Sequence, residues 1–257
     1  MIHQYSHIDS KARLGNNVTV SPFTTIYGDV VIGDNCWIGP NVTIMDGARI
    51  GNNVKIFPGA VISAVPQDLK YKGEPTTAEV GDNTVIRECV TINKGTIDRN
   101  KTVVGKNCLL MAYVHVAHDC FVGNNVILAN NVGLSGHITI DDFAILEGTA
   151  VAQQFVHIGA HTFIGGATLI RKNVPPYVKA AREPISYIGV NSIGLSRRGF
   201  DKEVIRQIED IYRIIFVRGY NISKALEVVE NEIPDSPQKV EIVSFIRNAK
   251  DGVIKGI

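Results

Sequence analysis

The chain has 257 residues, 45% of them hydrophobic and 20% charged, with a formal net charge of +1. That length supplies a full core for one large domain, or one domain with an appendage, and the near-neutral charge excludes a broad basic field for duplex nucleic acid. Cys36, Cys89, Cys108 and Cys120 show no C-x-x-C spacing, no run approaches the ~20 apolar residues of a membrane span, and the first residues lack a signal-peptide pattern, so a cytoplasmic protein with free thiols is expected.

From Ile8 onward an aliphatic residue returns every six positions, through Leu14, Val20, Ile26, Ile32, Ile38, Ile44, Ile50, Ile56 and Ile62. The phase lapses at Asp68 and Glu74, resumes at Val80, Ile86 and Ile92, and lapses again at Asp98. It then holds from Val104 through Leu110, Val116, Val122, Leu128, Leu134, Ile140, Leu146, Ala152, Ile158 and Ile164 to Ile170. Glycine often follows the aliphatic residue, as at Gly33 and Gly105, and a small or β-branched residue stands four places on, as at Val18, Ala48 and Val126. Neither a helix nor an alternating strand has this period. A short strand followed by a sharp turn does, and three such units close a triangular coil. The sequence therefore predicts stacked coils forming a mostly β, parallel β-helix prism, with the aliphatic and small columns inside. The recurring glycines read as turn residues at unusual backbone angles, and the lapses read as loops.

This register sorts the stretch VHVAHDC at 114–120. Val116 points inward. Cys120, like Cys36 and Cys108, falls in the small inward column, so these thiols are core residues and not nucleophiles. His115 and His118 fall at outward positions. Residues three hexads apart stack ~4.8 Å from one another, as paired strands do. His118 then stacks with Gly136 and Gln154, and Asp119 with His137. This patch suits acid–base chemistry, with His118 taking a proton from an acceptor hydroxyl and Asp119 fixing its tautomer. The bare Gly136 amide would face a developing oxyanion. A zinc site of the carbonic anhydrase type is the competing chemistry, and a non-catalytic scaffold is a third reading. A scaffold gives no reason for AHDC and SGH to stack in register.

After about residue 190 the hexads give way to helical patterning. Asp201 is placed to cap a helix bearing Val204, Ile208, Ile211 and Ile215 on one face; Ser223 is placed to cap a second, and Ser236 followed by Pro237 a third. The expected division is a β-helix domain at 1–190 and a C-terminal helical domain at 191–257 that covers the open end of the solenoid.

The hexads resemble those of the hexapeptide-repeat acyltransferases. Four blocks narrow the likeness: QDLKYKGEPT at 67–76, LLMAYVHVAHDC at 109–120, ILANNVGLSGH at 127–137 and GVNSIGLSRRGF at 189–200. In this order they resemble the UDP-N-acetylglucosamine 3-O-acyltransferase family that opens lipid A biosynthesis. A related N-acyltransferase carries an additional N-terminal uridine-binding domain, whereas here the hexads begin at Ile8. The resemblance implies a left-handed coil and a homotrimer with active sites in the clefts between prisms. It implies transfer of a 3-hydroxyacyl chain from acyl carrier protein to the 3-hydroxyl of UDP-N-acetylglucosamine. No acyl-enzyme, metal or separate cofactor is implied, since the phosphopantetheine arm arrives on the carrier protein. Acylation of the amine of a 3-amino sugar nucleotide is the alternative within the class.

Residue by residue, the resemblance makes His118 the base and Gly136 the oxyanion donor. Asp68 and Lys70 would hold sugar and acyl groups, with Gln67 near the acyl 3-hydroxyl. His115 and His137 would line the glucosamine and thioester site. Gln154, Asn191 and Arg197 would contact the nucleotide, with Arg198 nearby. Gly166 would mark the far end of the acyl groove, its bareness implying a long chain. Asn93 and Gln153 stand where relatives carry histidine, and Ile193 where they carry glutamate, so the nucleotide contacts are the part of the pattern these departures affect.

Overall fold

A computed structural model describes residues 1–256. Three sheets of nine, eight and ten strands form the faces of a prism. The first face runs from His7–Ile8 to Leu169–Ile170, the second from Arg13–Leu14 to His157–Ile158, and the third from Thr19–Val20 to Ser186–Val190. Within each face every strand pairs in parallel with the strand one coil away, except that Ser186–Val190 turns back antiparallel against Val178–Ala181. Most strands have two residues, one facing out and one in. The inward residues, such as Ile26, Ile44, Ile86, Leu110 and Leu134, are fully buried. Branched side chains fit these short, half-buried strands and supply the continuous core.

The corners depart from expectation in one respect. Along the edge between the second and third faces, left-handed backbone falls to Asn17, Asn35, Asn53, Asn83, Asn107 and Asn125, with φ between 56° and 60°. Asparagine tolerates this region because its short polar side chain bonds locally. The recurring glycines instead permit close approach between coils. A Cβ on Gly105 would lie 2.4 Å from the Gly123 carbonyl oxygen, and one on Gly33 would lie 2.8 Å from the Gly51 carbonyl carbon.

The two lapses in the hexads are loops, as expected. Residues 65–76 and residues 94–100 both leave the prism at the edge between the first and second faces. Each returns to the next strand of the second face, so the stack above and below keeps its register.

Beyond the prism lie α1 (Ser192–Arg197), α2 (Lys202–Phe216), α3 (Ile222–Glu232) and α4 (Pro237–Asn248). The short α1 was not anticipated. Asp201 occupies the N-cap position of α2 with an extended backbone, but its side chain makes no capping hydrogen bond. Ile208, Ile211 and Ile215 are buried on α2 and Val204 is partly so. Ser223 does not cap α3. Asn221 does, accepting from the Lys224 amide at 2.9 Å, which leaves Ser223 one residue inside the helix. Ser236 caps α4 as expected, accepting from the Lys239 amide at 3.1 Å with Pro237 behind it. The Tyr212 hydroxyl donates to the Pro176 carbonyl at 2.6 Å and ties α2 to the end of the prism. Among the described residues no helix is long and apolar enough to cross a membrane.

Candidate functional site

His118 projects from the edge between the first and second faces, yet only 6% of it is exposed. The expectation of an outward residue holds for direction; neighbours on the same edge then enclose it. Its Nδ1 lies 2.8 Å from Asp119 Oδ2. A carboxylate there accepts the Nδ1 proton, which leaves Nε2 as the basic nitrogen. A Cβ on Gly136 would stand 2.8 Å from that Nε2 and 2.6 Å from Cε1. Only glycine leaves room for the imidazole, and its bareness opens the space beside Nε2.

Asp119 is held from several sides. Oδ1 accepts from the amides of Thr96 at 3.0 Å and Arg99 at 3.2 Å, while Oδ2 accepts from Thr96 Oγ1 at 2.7 Å. Burial alone would push this carboxyl up, but the hydrogen bonds from Thr96, His118 and Arg99 outweigh it and hold it below the usual carboxylate range. Arg99 also donates to the Asp119 carbonyl at 3.0 Å and lies over the Phe121 ring. Thr96, Asp98 and Arg99 thus belong to the site although sequence reading passed over them. The signal available was the misfit at Asp98, which marks a loop inserted at the site's own edge.

His137 stacks above, its ring centroid 5.1 Å from that of His118, edge to face. Asp98 Oδ2 lies 3.0 Å from His137 Nδ1, off the line a hydrogen bond needs. Phe155, one coil further, stacks on His137 at 4.7 Å. The coil register predicts that contact, though Phe155 was not singled out. His115 sits on the outer surface of the first face, its Nδ1 2.7 Å from Thr91 Oγ1. Burial, then the neighbouring His118, lowers its pKa and favours the neutral ring.

His118, Asp119 and His137 each offer a donor atom within 4.8 Å of the others. Both Asp119 oxygens are already spent on Thr96, Arg99 and His118, so Asp119 is not free to join the two histidines as a ligand. Cys120 is also out of reach of chemistry. It is fully buried, its Sγ 3.1 Å from the Ser135 carbonyl, and burial pushes its thiol up to about 12. Cys120→Ala should therefore retain most activity while losing ~1–2 kcal/mol of stability, as activity assays and thermal melts would report. An acyl group trapped on Cys120 would contradict this assignment.

The other expected site residues fall on three different edges. Gln154 is exposed one coil beyond Gly136 on the His118 edge, beside the exposed Gln153. Gln67, Asp68 and Lys70 lie in the 65–76 loop on that edge. The Lys70 amide donates to Asp68 Oδ1 at 2.9 Å, a local bond at the loop's tip, while Thr76 Oγ1 at its end donates to the Gly95 carbonyl of the second loop at 2.5 Å. Asn93 is buried beneath this loop and donates to the Val65 carbonyl at 3.3 Å. Gly166 is exposed on the edge between the third and first faces.

Asn191 and Arg198 meet the edge between the second and third faces. Asn191 is buried; it caps α1 through the Gly194 amide and donates to the His161 carbonyl at 2.9 Å. Arg198 donates to the Phe143 carbonyl at 3.0 Å, its guanidinium over the Phe143 ring. Phe143, His161 and Tyr177 form one stack there. Burial, then the Arg198 cation, lowers the His161 pKa to about 4. Arg197 and Ile193 are exposed on α1.

Two family profiles match the chain: bacterial transferase hexapeptide repeats at residues 29–64 and 101–136, and the second domain of UDP-N-acetylglucosamine O-acyltransferase at residues 173–254. An acyl-[acyl-carrier-protein]–UDP-N-acetylglucosamine O-acyltransferase from Aliivibrio fischeri MJ11 is 42% identical over 255 residues, covering 99% of this chain and 97% of the relative. The crystal structure of a UDP-N-acetylglucosamine acyltransferase from Bacteroides fragilis 9343 is 50% identical and superposes with a TM-score of 0.98, over 99% of this chain and 100% of that one. The corresponding enzyme from Francisella novicida is 37% identical with a TM-score of 0.96, over 99% and 94%. Agreement this close carries the left-handed winding of the family coil to this chain. The stacked hexads, the helical tail and these full-length likenesses place the chain in the UDP-N-acetylglucosamine O-acyltransferase family.

Proposed function

We propose that the protein transfers a 3-hydroxyacyl chain from acyl carrier protein to the 3-hydroxyl of UDP-N-acetylglucosamine, in lipid A biosynthesis. The observation that carries the chemistry is the His118–Asp119 pair with Nε2 turned toward Gly136. Nε2 takes the proton of the acceptor hydroxyl as the oxygen attacks the thioester carbon. Asp119 stabilises the imidazolium, and the Gly136 amide donates to the oxyanion of the tetrahedral intermediate. Collapse breaks the carbon–sulfur bond, and the imidazolium returns its proton to the departing thiolate. The thioester is already activated, so positioning supplies much of the remaining acceleration and no acyl-enzyme or metal is required. The pantetheine arm enters and leaves with the carrier protein.

The same reading assigns Asp68, Lys70 and Gln67 to the sugar and acyl head, and His115 and His137 to the glucosamine and thioester site. Gln154, Asn191, Arg197 and Arg198 are assigned to the nucleotide. These groups stand on different edges of one prism, which favours a homotrimer whose clefts join the edge of one copy to that of the next. It takes residues 1–190 as the catalytic prism and 191–257 as the helical domain. Four free cysteines favour a cytoplasmic location. Asn191 and Arg198 have structural duties as well, tying α1 to the His161 and Phe143 carbonyls.

The test is transfer from a panel of hydroxyacyl carrier-protein thioesters to UDP-N-acetylglucosamine and to its 3-amino analogue. Product on the hydroxyl supports the assignment; product on the amine alone would replace it. Gly166 is assigned the far end of the acyl groove, where its missing side chain admits a long chain. Gly166→Met should shift the ratio of kcat/KM toward shorter donors by roughly tenfold or more, since even one methylene denied its place is worth that much. An unchanged ratio in a folded, active variant would put the stop elsewhere.

A further inference from the structure

Thr91, His115, Gly133, Val151 and Leu169 form one column on the outer surface of the first face, paired in register coil by coil. Gly133 is the anomaly. It lies within a strand, its φ is not positive, and a Cβ there would meet only the Val151 methyl carbons at 3.8 Å, an ordinary contact. Neither backbone angle nor crowding asks for glycine, and glycine weakens a strand by leaving nothing to pack. Gly136, three residues on, is the contrast, because a Cβ there would strike His118.

The position explains the bare surface. His118 and Gly136 lie on one edge of this face and Gly166 on the other, between Phe163–Ile164 of the third face and Leu169–Ile170 of the first. A chain running from one edge to the other crosses the outer surface at Gly133 and Val151, successive coils ~4.8 Å apart. Val151 is 41% exposed and Leu169 38%, so the column continues as apolar surface beyond His115. A sugar nucleotide needs polar partners that Gly133, Val151 and Leu169 lack. A hydrocarbon chain needs none.

We infer that Gly133 is a specificity-determining residue that keeps the middle of the acyl track open, apart from the stop assigned to Gly166. This rests on the acyl-transfer reading. The test uses the full-length enzyme as Gly133→Thr and Gly133→Ala. It measures melting temperature, kcat/KM for short and long hydroxyacyl carrier-protein donors, and KM for UDP-N-acetylglucosamine. Threonine should leave the melting temperature unchanged or raised and lower the long-to-short donor ratio roughly tenfold or more, with alanine milder and the sugar KM unmoved. An unchanged ratio in folded, active variants overturns the inference. So does equal loss for every donor, which would put the pantetheine arm at Gly133, or a raised sugar KM. Unfolding of both variants would make the glycine structural and overturn it as well. Failure of the underlying reading looks different: the wild type itself would transfer no acyl group to UDP-N-acetylglucosamine from any donor.

Discussion

Replacement of His118 by alanine is expected to leave a folded protein whose turnover falls ~10²–10⁴-fold. The fold should survive because His118 stands outside the prism core and contributes one side-chain hydrogen bond, to Asp119. Asp119 keeps Thr96 and Arg99 as donors when the imidazole is gone. Turnover should fall because no other base is placed beside Gly136. His137 packs on the His118 ring, but nothing orders its tautomer as Asp119 orders that of His118. Steady-state kinetics with saturating donor, alongside circular dichroism, would separate the outcomes. Near-normal turnover would remove His118 from the mechanism, and loss of the folded spectrum would make it a structural residue.

Asp119→Asn should cost ~10³–10⁴-fold in turnover, a loss of the size seen when a carboxylate no longer fixes its histidine's tautomer. Asparagine is the informative choice because Asp119 has φ 59°, a region asparagine accepts. The amide keeps an acceptor for the loop but turns an N–H toward His118 Nδ1. The imidazole then carries its proton on Nε2, where a lone pair is needed. Losing one buried acceptor for Thr96 Oγ1 should lower stability by ~1–3 kcal/mol. The acid limb follows from the depressed carboxyl pKa. A group depressed in the folded state contributes stability that is present above its unfolded value and lost as pH falls through the folded one. The wild-type advantage in melting temperature over Asp119→Asn should therefore stand at neutral pH and shrink below about pH 4. Constant separation across that range would mean Asp119 is not a charged partner of His118.

Some features were legible because they obey the coil period. The inward column from Ile8 to Ile170, the burial of Cys36, Cys108 and Cys120, and the stacking of His118 with Gly136 all follow from counting hexads. Others obey no period. Thr96 and Arg99 bond Asp119 from a loop whose path depends on where its ends are anchored, which spacing does not encode. The turn glycines were misread because a positive φ and a close approach select the same residue for different reasons. Asn221 and Ser223 compete for one cap, and two residues of uncertainty at a helix end decide between them. Arg198 reaches Phe143 only once α1 exists, and α1 is too short to announce itself by amphipathic pattern.

The loops at 65–76 and 94–100 leave the prism where the histidine edge runs and rejoin it without disturbing the stack. Lengthening such an excursion costs little beyond closing it, since each doubling adds only about 0.6 kcal/mol. A coil of this kind is therefore a ruler with one adjustable side, and the two excursions differ in how far they are free to vary. The second is bolted to Asp119 by Thr96 and Arg99, so its shape and the basicity beside it must change together. The first is fastened mainly at its base, through Asn93 and Val65, while Leu69 and Lys70 stand in the open. Residues can therefore be exchanged or inserted in that outer excursion without touching the hydrogen bonds that hold the His118–Asp119 pair.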